Sequence, residues 1–90
     1  MNTEALNPPV SLIDDFKDLQ MTIFEDREGD RTRKLVDYFR QAEIKSRELQ
    51  IRTVDYEQKQ FAQMLGDAFA ASSRILLAAW QKAHSVELRV

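Results

Sequence analysis

An all-α fold, either a helical hairpin or a three-helix bundle with a long C-terminal helix, follows from three features of the sequence. The 90 residues contain only two glycines and two prolines, and no proline falls between Arg31 and His84. Within that stretch Glu43 and Arg47, Glu48 and Arg52, and Asp55 and Lys59 stand four apart with the acid first, the order that supports a helix. Apolar residues recur every three or four positions, the period of a helix with one buried face.

Residues 1–9 read as a flexible lead-in and 10–90 as a single helical domain. Pro8 and Pro9 disfavour helix immediately before them, and Ser11 with Asp14 three residues on resembles a capping box. Leu12, Phe16, Leu19 and Ile23 then share one face, away from Asp14, Asp15 and Asp18, so a first helix is expected from Ser11 to Glu25. The following "EDREGD" reads as a turn, with Asp30 as the cap of the next helix. Its acids are out of register for an EF-hand calcium loop.

Beyond the turn the apolar residues form two stripes. Leu35, Phe39, Ala42 and Leu49 make one; Ile51, Val54, Phe61, Leu65, Ser72, Leu76, Ala79 and Ala83 make another, rotated by roughly a third of a turn. Either the chain breaks between Arg52 and Asp55 or one rod of roughly 80 Å presents two faces to two neighbours, pairing into a coiled-coil-like oligomer. Thr53 and Val54 are weak helix formers and Asp55 with Gln58 can cap a new helix, which favours the break. The phase runs unchanged through Gly66, which reads as a close-packing point. In the final "SVELRV" the alternation of Val86, Leu88 and Val90 suits a helical extension or an extended tail.

Composition excludes several chemistries. The absence of cysteine removes disulfides and thiolate sites and suits a reducing, cytoplasmic setting, and the N-terminal residues lack the basic start and apolar core of a secretory signal. His84, the only histidine, stands in a last helical turn, where it serves the helix end or faces solvent. Ser72 and Ser73 lie in helical sequence without the glycines of a nucleophile elbow. With no phosphate loop or dinucleotide fingerprint either, the sequence nominates no catalytic residue, metal or cofactor, and a non-enzymatic protein is expected.

The net charge of −2 gives no general excess of bases for phosphate binding. Arg33, Arg40 and Arg47 recur every seven residues along one face and are the candidates for contacting nucleic acid, but Asp37 and Glu43 interrupt them. A small nucleic-acid-binding regulator is therefore the alternative reading rather than the first.

Seven of the nine alanines follow Phe61. Small side chains let a neighbouring helix approach closely, while Phe61, Leu65, Phe69, Ile75, Leu76 and Trp80 supply large apolar knobs. These six are the expected contact residues for a protein partner or a second copy of the chain. The apolar run is too short to cross a bilayer, and Arg74, Gln81 and Lys82 interrupt it, so no membrane insertion is expected.

The pattern from Phe61 to Leu88, with its ending "RILLAAWQKAHSVEL", resembles the small helical co-chaperones of bacterial type III secretion needles, the YscE or EscE type. The resemblance implies a cytoplasmic protein of two or three helices that binds a second chaperone or the needle subunit and prevents premature polymerisation. The residues alone point only to a helical interaction module.

Overall fold

The computed structural model describes residues 14, 15 and 17–90. Among the described residues the bounded helices are α1 (Leu19–Glu25), α2 (Asp30–Arg52) and α3 (Tyr56–His84). The expected lead-in over residues 1–9, the Ser11 cap and two members of the first stripe, Leu12 and Phe16, lie outside the described residues. The 29 residues of α3 span about 43 Å at 1.5 Å each, which matches the longest dimension of the molecule, 44 Å. Helix α2 runs back along α3, whereas the seven residues of α1 reach about 10 Å and cover one end only.

The first helix departs from its expected course at Asp18. Asp14, Asp15 and Lys17 are helical, but Asp18 leaves helical geometry and becomes the N-cap of α1, accepting a hydrogen bond from the Met21 N–H at 3.1 Å. Asp15, expected away from the apolar face, is buried. Its carboxylate takes the Arg31 guanidinium at 2.6 Å, and its carbonyl accepts from the Thr22 hydroxyl at 3.3 Å. A carboxylate can occupy that position because a cation from α2 reaches it.

The turn before α2 is also capped otherwise than expected. Asp30 is the first helical residue, and the N-cap is Gly29, with φ +83°. Only glycine holds that backbone without strain, and a Cβ there would collide with the Leu88 side chain. The capping carboxylate belongs to Asp26, three residues before the N-cap, which accepts from the Thr32 N–H at 2.7 Å. It thereby satisfies one of the four backbone donors left free at a helix start.

Helix α2 ends where the sequence suggests. Thr53 is extended, with ψ 133°, and the Asp55 side chain caps α3 by accepting from the Gln58 N–H at 3.0 Å. The chain is therefore broken at residues 53–55 and the long rod is not formed.

The α2–α3 interface has two halves. At the end covered by α1, Ile23, Leu35, Val36, Leu76, Trp80 and Leu88 form the core, with Leu19, Phe39 and Leu77 packed against it. Leu35 and Val36 are adjacent in sequence yet both fully buried, because α2 is covered on two sides there. Toward the 53–55 connection the buried residues are small: Ala42 and Ser46 on α2, Ala62, Gly66 and Ser73 on α3. The Ser46 hydroxyl donates back to the Ala42 carbonyl at 2.9 Å, which satisfies it inside the interface. Gly66 is the close-packing point expected of it: the Arg47 guanidinium lies over it, 2.8 Å from where a Cβ would stand.

Past α3 the chain folds back. Ser85 takes the left-handed conformation at the helix end, φ 57°, and its N–H donates to the Gln81 carbonyl. Leu88 then enters the core, so the last residues are neither a helical extension nor a free tail.

Candidate partner-binding surface

Helix α3 places three kinds of residue around its circumference. The side facing α2 holds Ala62, Gly66, Ser73, Leu76 and Trp80. Near its C-terminal end it also holds α1. The Trp80 ring N–H donates to the Asp26 carbonyl at 2.6 Å, and His84 Nε2 donates to the Ile23 carbonyl at 2.7 Å. Since a carbonyl can only accept, the His84 proton sits on Nε2. The two rings lie 4.5 Å apart and together serve carbonyls at the end of α1, that of Asp26 being shared with the Gly29 N–H at 3.1 Å. The histidine thus serves a helix terminus, but that of α1 rather than its own.

The outer side of α3 is apolar and exposed. Met64 and Ile75 are each 67% exposed and Phe61 48%. Ala68 and Ala78 are exposed on the same side, with Ala71 half-buried. No charged residue falls on this row between Phe61 and Ala78, a rise of about 25 Å. Near Ala79 the row borders a groove of about 360 Å³ between α1 and α3, lined by Gln20, Ile23, Phe24, Ala79, Lys82 and Ala83. Phe24, 70% exposed, forms its α1 edge. A second apolar group, Ile51, Val54 and Tyr56, is exposed at the hairpin tip.

The six expected contact residues are therefore divided. Phe61 and Ile75 are available to a partner. Leu65 and Phe69 are half-buried, with the Phe69 ring 6.1 Å from that of Phe39. Leu76 and Trp80 belong to the core, so they support a partner surface from beneath and cannot touch a partner on the folded chain. Met64, Ala68 and Ala78 are the surface residues absent from that expectation. Their signal was the row of fours and threes that runs through Phe61, Met64, Ala68, Ala71, Ile75 and Ala78 beside the buried stripe.

The basic face is largely occupied by the chain itself. Arg33 donates to the Arg89 carbonyl at 2.7 Å and the Glu28 carbonyl at 3.1 Å, and pairs with Asp30 at 3.0 Å. Arg47 pairs with Asp67 at 2.8 Å and Glu43 at 3.4 Å; its pKa is raised, chiefly by the hydrogen bond to Asp67. Arg40 is exposed, beside Asp37. Two of the three guanidinium groups are therefore engaged by carbonyls and carboxylates of the chain. Among the described residues no group of three or more His, Cys, Asp and Glu could hold a metal ion, and no helix is long and apolar enough to cross a membrane.

A family model described as type III secretion system regulatory protein HrpD6 matches residues 3–82. The chain belongs to this family. Membership supports the link to type III secretion drawn from the apolar pattern of residues 61–88, but lends no support to the needle co-chaperone type in particular. Neither the curated proteins nor the solved structures yield a match to the chain. In this HrpD6-family member the outer row of α3 lies exposed beside a filled core.

Proposed function

We propose that the chain is a non-enzymatic adaptor of the type III secretion system that offers the outer face of α3 to a helix of another secretion component, in the manner of a co-chaperone. The observation that carries this reading is the exposed row Phe61, Met64, Ala68 and Ile75 on a chain whose core is filled without it. An apolar row at helical spacing, uncharged along its length and bordered by a groove, suits an amphipathic partner helix. Such a face gives a secretion regulator a means of holding a partner without chemistry of its own.

The test is the double substitution Met64→Asp with Ile75→Asp. Both side chains face solvent, so each change is expected to alter folding stability by less than about 0.5 kcal/mol. In a strain lacking the native gene, the variant is expected to accumulate normally yet fail to restore secretion. Wild-type secretion by a correctly folded double variant would refute the reading.

A further inference from the structure

The outer row of α3 has a symmetry that selects its occupant. From Glu57 the positions Phe61, Met64, Ala68, Ala71, Ile75, Ala78 and Lys82 follow at spacings of four and three throughout, the repeat of a coiled-coil seam. All are exposed except Ala71, which is half-buried. Read from opposite ends the row pairs with itself: Glu57 with Lys82, Phe61 with Ala78, Met64 with Ile75, Ala68 with Ala71. Opposite charges meet at both ends, the largest side chain meets a small one, and the centre is small on both sides. Among the described residues neither Glu57 nor Lys82 has an ion-pair partner within the chain.

We propose, resting on the reading of this face as a binding surface, that α3 pairs with α3 of a second copy in an antiparallel, two-fold homodimer. The isologous arrangement makes every contact twice, so the Glu57–Lys82 pair closes both ends of the seam. The same register brings Phe61 of each copy to Ala78 of the other, beside the groove between α1 and α3. There Ile23, Phe24, Ala79 and Ala83 give the ring an apolar wall, and Lys82 lies at the rim. The parallel alternative sets Glu57 against Glu57, Phe61 against Phe61 and Lys82 against Lys82, losing both complementarities.

The seam is about 38 Å long and about 10 Å wide, roughly 400 Å² of footprint per copy against about 800 Å² in a standard stable interface. The dimer is therefore a weak, reversible one, and a helix of another protein that uses the same face would displace the second copy.

The test uses the full chain alone. Sedimentation equilibrium is expected to show a concentration-dependent monomer–dimer exchange. Glu57→Lys or Lys82→Glu is expected to weaken the dimer by about tenfold, and the double reversal to restore it, with circular dichroism verifying the fold of each variant. Because the native chain has no cysteine, Met64→Cys chains mixed with Ile75→Cys chains are expected to form a disulfide across the seam. Met64→Cys chains alone are not, since an antiparallel pair sets the two thiols about 16 Å apart along the axis.

A monomer at millimolar concentration, a double reversal that fails to restore pairing, or self-cross-linking by Met64→Cys would each overturn the proposal. Failure here is separable from failure of the adaptor reading. A monomeric chain that still needs Met64 and Ile75 for secretion loses only the dimer, whereas a dimer whose Asp variants secrete normally loses only the adaptor.

Discussion

Thr32 shows how narrowly individual polar groups are accommodated in so small a core. The residue has no solvent exposure, its N–H is taken by Asp26, and its hydroxyl has no hydrogen-bond partner among the described residues. A buried hydroxyl without a partner costs about 1–3 kcal/mol relative to water, and valine has nearly the same shape. Thr32→Val is thus expected to raise the unfolding free energy by about 1 kcal/mol, measured as a higher urea midpoint at unchanged slope; a lower midpoint would contradict it. Asp15 and Asp26 are the contrasting cases, buried acids that each found donors. Their burial was not legible in the sequence, where both stand among other acids. What buries them is the approach of Arg31 and of the α2 N-terminus, which depends on how α1 folds over rather than on local spacing.

At the level of elements, the break at residues 53–55 was legible because its signals are local: weak helix formers followed by the Asp55–Gln58 cap. The start of α2 was misread as capped by Asp30 because the true carboxylate, Asp26, acts across a turn whose shape depends on the positive φ of Gly29. Helix α1 is too short to persist alone, and its C-terminal end accepts hydrogen bonds from two ring donors 54 and 61 positions away along the chain. Trp80→Phe keeps an aromatic ring but removes the donor to the Asp26 carbonyl. The carbonyl keeps the Gly29 N–H, so the change is expected to cost about 1 kcal/mol and to speed tryptic cleavage at Arg27, with the α2–α3 helix content unchanged. Cleavage at the wild-type rate would show that α1 is held by packing alone.

Across the whole molecule, large apolar side chains gather at one end of the hairpin and small ones at the other. Burying a Leu, Val or Ile contributes about 1.5–3 kcal/mol, whereas alanine and glycine contribute far less. Stability is accordingly graded along the long axis. Amide hydrogen exchange is expected to be slowest around Leu35–Val36 and Leu76–Trp80 and faster toward Leu49 and Gln58, with uniform protection along the hairpin as the contrary result. The helical class and the apolar wealth of α3 were plain from composition and periodicity. Which side of α3 is core was not, because Leu76 and Trp80 lie on the same wide apolar arc as Phe61 and Ile75, and only the placement of α1 and the tail separates them.

The return of Leu88 to the core has a consequence for synthesis. Leu35 and Val36 emerge from the ribosome about 50 residues before Leu88, an interval of roughly 3–10 seconds at ordinary elongation rates. Until α3 and then Leu88 have emerged, the buried face of α2 has only α1 beside it. The nascent chain is most exposed to wrong partners before α3 arrives, and slower elongation through residues 56–88 would lengthen that window.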